Sequence, residues 1–133
     1  MDNAAPSSSI ARLKALPPLL LSLHKLLLDA ERDEYEKVFG KVESAGQMLE
    51  LVIEDPWFSW LRRLSQIIAM IDETLEAKTA PITEKAAQDL LAETKRLLTP
   101  TEEGEGFGKE YFDALQRDPD VIFKHKEISK LIS

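Results

Sequence analysis

The sequence predicts an all-α protein: a four-helix-bundle-like core with additional short helices. Three observations predict it. Apolar residues recur at three- and four-residue spacing over most of the chain. No stretch alternates apolar and polar with period two, and long β-branched runs are missing. Helix-start signals of the Ser-x-x-Gln and Asp-Pro kind stand ahead of the periodic stretches. The 133 residues, 44% hydrophobic and 31% charged, suit one globular domain. We read residues 1–9, MDNAAPSSS, as a disordered N-terminal arm and residues 10–133 as a single helical bundle domain.

The first long helix is expected over 18–39. Residues 10–16 make a turn or two before it, Pro17-Pro18 forces an extended step, and Gly40 stops it. Leu20, Leu23, Leu27 and Val38 share one face, with Leu28, Tyr35 and Phe39 beside them. A second helix over 45–54 opens on the capping box Ser44-x-x-Gln47 and carries Met48, Leu49, Leu51, Val52 and Ile53.

The third helix, over 56–77, starts with Asp55 as cap and Pro56 as first helical residue. Trp57, Trp60, Leu61, Leu64, Ile67, Ile68, Ile71 and Leu75 form a stripe long and bulky enough for the centre of the bundle, with both indoles hidden. Phe58 projects to its flank, where it is either a partner anchor or covered by a neighbouring segment; coverage is favoured. A fourth helix runs over 83–98 and is closed by Pro100. Residues 99–108 are a solvated, mobile loop. The fifth helix spans 109–117, with Tyr111, Phe112 and Leu115 inward. Asp118-Pro119 starts the last, over 119–132, with Val121, Ile122, Ile128, Leu131 and Ile132 as its apolar face.

Composition narrows the function. A net charge of -7 argues against nucleic-acid backbones, which need a basic face, and against anionic lipid. The most apolar segment, residues 15–28, is too short and too polar to span a bilayer. Arg12 and Lys14 before the leucine run suggest a signal peptide, but no small-residue cleavage site follows. With no cysteine, disulfides, thiolate metal sites and cysteine nucleophiles are out. Phosphate-loop, dinucleotide, zinc-protease, hydrolase-elbow, EF-hand and di-iron patterns are all missing, and no cofactor is expected.

At about 100° per residue, several polar side chains project where leucines project. His24, Glu31 and Glu34 fall inside the apolar arc of the first long helix. Arg63 and Asp72 flank the stripe of the third, and His125 sits mid-face on the last. Imidazoles with carboxylates can hold a metal or a small ligand, or act as a base. The plainer reading is structural: the histidines rim the core, and Glu31 and Glu34 pair with Arg62 or Arg63 across a helix interface.

The run Pro56-Trp57-Phe58-Ser59-Trp60-Leu61-Arg62-Arg63-Leu64-Ser65, ending in Ile71-Asp72-Glu73, resembles a PWFxWLRxLSxxIxxIDE-like helix of small bacterial all-helical proteins of unknown function. Gln116-Arg117-Asp118-Pro119-Asp120-Val121 is similar to the same group. The resemblance implies an all-α domain and a bacterial, cytoplasmic origin, and brings no functional residue with it.

The leading expectation is therefore a non-catalytic bundle acting through contacts with a protein partner or with itself, as a homodimer. The alternative is a small-ligand or metal-binding module built on His24, Glu31, Glu34, Arg63, Asp72 and His125. An acidic mimic of nucleic acid ranks last, because lysines and arginines are mixed among the carboxylates.

Overall fold

The computed structural model describes residues 8–133. Those residues are all-α with a four-helix-bundle-like core. The helices are α1 (Ser9–Phe39), α2 (Ala45–Glu54), α3 (Arg62–Glu76), α4 (Glu84–Leu97), α5 (Phe107–Arg117) and α6 (Pro119–Ile132). A 3-10 segment, Pro56–Leu61, leads into α3. No helix among the described residues is long and apolar enough to cross a membrane.

Side-chain caps set most helix starts. Ser8, Ser44, Asp55, Thr83 and Asp118 each accept a backbone N–H two or three residues on, satisfying donors the helix leaves orphaned. The Gln47 side chain completes the capping box by accepting the N–H of Glu43 at 2.8 Å, one residue ahead of the expected donor. Gly40 ends α1 at φ +95°, where a side chain would be strained. The arm expected over 1–9 lies outside the described residues as far as Ser7. Ser8 already caps α1, and Ser9, its first residue, is buried.

The first correction concerns Pro17 and Pro18, which lie inside α1 rather than ahead of it. An interior proline costs a helix about 3 kcal/mol. Carrying the helix through the pair buries Leu13 and Leu16 completely, at about 1.5–3 kcal/mol each. It also brings the first turn to Glu84, which accepts the N–H of Ser9 at 2.9 Å, and brings Arg12 to the carbonyls of Leu131 and Ser133. Tertiary contacts of this size offset the prolines.

The second correction concerns the centre of the bundle. It is α1, packed against α3, α4 and α6, with Leu13, Leu16, Leu20, Leu23 and Leu27 wholly buried. The tie from Arg12 to the end of α6 makes those two helices antiparallel, and the tie from Glu84 to Ser9 makes α1 and α4 parallel. Beyond Glu31 the stripe leaves the core, and Val38 and Phe39 are exposed, contrary to their expected inward place.

The third correction follows from the 3-10 segment. At three residues per turn, Phe58, Leu61 and Leu64 line up, and all three are buried. Trp57 and Trp60 are rotated off that line and only half-buried. Phe58 is covered as favoured, its ring centroid 5.5 Å from that of Tyr35. Later in the chain α5 begins at Phe107, two residues early. That ring is buried beside Trp60 and Tyr111, so the loop before it is pinned at its end. The N–H of Thr101 bonds the Gly108 carbonyl at 3.0 Å, and a Cβ on Gly108 would meet Thr101 Oγ1 at 2.8 Å. Phe112 is half-buried and lies outside the core cluster, and Ile122 is exposed.

Candidate functional site

The inward polar residues divide into separate contacts. On α1, His24 Nε2 shares a 2.9 Å hydrogen bond with Ser65 Oγ of α3. On α6, His125 Nδ1 shares one of 2.6 Å with the phenol of Tyr111, which is fully buried on α5. Burial lowers the pKa of both imidazoles, which favours their neutral forms, and drives the Tyr111 phenol far above its ordinary range. Among the described residues, no three His, Cys, Asp or Glu side chains gather closely enough to hold a metal ion.

Glu31 is the buried charge among the described residues, 6% exposed. Its partner is Arg117 at the end of α5, with Nη2 2.9 Å from Oε2; it is not Arg62 or Arg63. Arg62 instead donates to the Ile53 carbonyl at 2.7 Å and closes the end of α2. Arg63 is exposed and lines a hollow with Arg96 and the loop before α5. Glu34 pairs with Lys37 at 3.0 Å, which holds its carboxyl below the ordinary range. Asp72 is half-buried on the flank of α3, apart from these groups.

Burial raises the pKa of Glu31. Arg117 pulls it back down, and Glu110 pushes it up again by like charge. The Trp60 indole adds a weaker downward pull, although its N–H falls outside good hydrogen-bond geometry. Glu31, Glu34, Trp57, Trp60, Glu110 and Arg117 line one cleft of about 570 Å³ between α1, the 3-10 segment and α5. The structure thus brings Glu31 and Glu34 together and leaves His24, Arg63, Asp72 and His125 elsewhere.

Glu110 and Arg117 were missed in the sequence. Arg117 stands directly before Asp118-Pro119 and reads as a helix end; only the packing of α5 against the 3-10 segment turns it toward Glu31.

The second unusual feature is α2. It is rich in apolar residues, yet none is buried; it packs mainly on the 3-10 segment. Leu49 and Ile53, one turn apart, are 61% and 57% exposed, and Val38 and Phe39 at the end of α1 are each 63% exposed. Phe39 stacks on Tyr35 and meets Trp57 edge-on, with centroids 4.8 Å and 5.8 Å apart, which ties this apolar end to the mouth of the cleft. No family model, curated protein or solved structure matches the chain.

Proposed function

We propose that the protein is a non-catalytic binding module whose α2 end docks an amphipathic helix of another protein. The single observation that carries this is α2 itself: an apolar ten-residue helix with no buried residue. Leaving Leu49 and Ile53 in water sacrifices burial that the fold obtains elsewhere, and exposed apolar surface of this kind marks interaction sites.

Charge selects the occupant. α2 carries Glu50 and Glu54 and no basic residue, and the whole chain carries -7. A second copy would bring like charges together. A helix with an apolar stripe flanked by lysine or arginine complements the patch. The inward polar groups are each held by a structural neighbour, His24 by Ser65, His125 by Tyr111 and Glu31 by Arg117, which supports binding over chemistry. A bacterial cytoplasm is the setting we propose, on the strength of the resemblance around Pro56–Ser65.

A photo-crosslinking side chain at Leu49, compared with one at the exposed Glu127 of α6, tests the reading in cells that make the protein. We expect a Leu49-specific crosslink to a basic amphipathic helix. A crosslink to a second copy would replace the reading with a homodimer, and identical patterns from both positions would end it.

A further inference from the structure

We infer that α5 is an acid-released lid: a proton on His125 breaks the bond to Tyr111 and frees α5 to open from Trp60 and Glu31. The inference stands on different residues from the docking patch and does not depend on it.

α5 is held as a separate unit. It packs on α6 and on the 3-10 segment, and it forms one wall of the cleft in which Trp60 and Glu31 lie. Gly104 and Gly106 stand just before it at φ +95° and +94°, with open space where a Cβ would be, and Asp118 alone joins it to α6. Short connections of this kind can absorb a hinge rotation. Among the described residues, two side-chain hydrogen bonds tie α5 to other helices, Arg117 to Glu31 at its end and Tyr111 to His125 at its middle. Phe107, Tyr111 and Ala114 are buried, so opening is rare while both ties hold.

The Tyr111 tie works only while the imidazole is neutral. Nδ1 then accepts the phenol O–H at 2.6 Å. A proton on Nδ1 makes it a donor. The phenol is fully buried and has no second partner among the described residues, so its own O–H is then left unsatisfied. No neighbouring group offsets the new charge. α4 brings Lys95 to the hollow beside His125, and α6 places Lys124 and Lys126 next to it in sequence. α1 reaches the end of α6 with Arg12, which occupies the carbonyls of Leu131 and Ser133. No Asp or Glu side chain lines the hollow. Burial lowers the His125 pKa accordingly, whereas an opened imidazole returns to 6.5. Falling pH therefore favours the open form between 6.5 and the lowered value. Glu31 acts in the opposite sense at its end of α5, because its raised carboxyl favours closure once protonated.

Amide hydrogen exchange of the full chain, resolved by residue and corrected for its intrinsic pH dependence, reads opening helix by helix. Between about pH 7.5 and about pH 5.5, protection of the α5 amides should fall severalfold, up to about tenfold, the limit set by one proton with an open-state pKa of 6.5. α1 and α4 should keep their protection. The loss should track the His125 imidazole signal in NMR, persist in His24→Gln and vanish in His125→Gln. The inference is overturned if α5 stays protected in acid, if α1 and α4 lose protection in step with it, if the loss follows His24 rather than His125, or if His125→Gln responds like the parent. Should His125→Gln fail to fold, the readings on the parent chain decide alone.

Discussion

Glu31 on α1 and Arg117 at the end of α5 meet at 2.9 Å although 86 residues separate them in the chain. The carboxylate is buried, while the guanidinium keeps 39% of its side-chain surface in water. The pair therefore differs from a surface bridge in one respect: losing the arginine strands a charge that water cannot easily reach.

Arg117→Gln should cost about 1–3 kcal/mol near neutral pH, the penalty of a buried charged acceptor left without its donor. The loss should shrink as pH falls and the Glu31 carboxyl, already raised in pKa, takes up a proton. Urea denaturation of parent and variant across the acidic range measures both effects.

Phe58→Ala should destabilise the fold by about 3–5 kcal/mol, as expected for a fully buried ring. Trp57→Ala should cost less despite the larger side chain, because that ring is only half-buried. The order of the two urea midpoints decides between the observed 3-10 register and an α-helical register that would bury the indole.

Pro18→Ala should stabilise the protein by about 2 kcal/mol, since Pro18 is exposed inside a continuous helix and alanine returns an N–H to the Lys14 carbonyl. A melting temperature unchanged or lowered by the substitution would mean that the chain is not helical there.

Stability should rise with pH below neutrality. His24 and His125 titrate below 6.5 in the folded chain and at 6.5 when unfolded, so between those values the unfolded chain binds more protons. Their contribution is complete above 6.5 and lost as pH falls toward the folded values. Glu31 acts in the opposite sense: its contribution falls as pH rises from 4.5 through its raised value. Urea midpoints at about pH 5.5 and about pH 7.5 should differ less in the His24→Gln, His125→Gln double variant than in the parent.

Leu49→Glu with Ile53→Glu should leave thermal stability within about 0.5 kcal/mol of the parent, because both side chains already face water. Together they should abolish crosslinking from an adjacent position on α2.

The local signals in the sequence proved readable where they were strong. Ser44-x-x-Gln47, Asp55-Pro56 and Asp118-Pro119 mark helix starts that the structure keeps, because a cap answers to its own few residues. Pro17-Pro18 misled, because the burial that overrules it depends on α3, α4 and α6. The tryptophan stripe misled in a different way. Its spacing of three fits an α-helix and a 3-10 turn equally well, and the two differ in which face is buried. Of the candidate site, Glu31 and Glu34 could be seen as inward carboxylates. Their partners could not: Arg117 is remote in sequence, and Lys37 attracts no notice on a surface of mixed charge.

The arrangement around α1 has a consequence for how the molecule comes together. α3, α4 and α6 each lean on that one helix, and α3 and α6 scarcely meet. Its leucine row is a shared keel: the outer helices have no comparable seam among themselves, so no subset of them should hold its shape without it. Assembly and collapse should therefore be single events, with no surviving half.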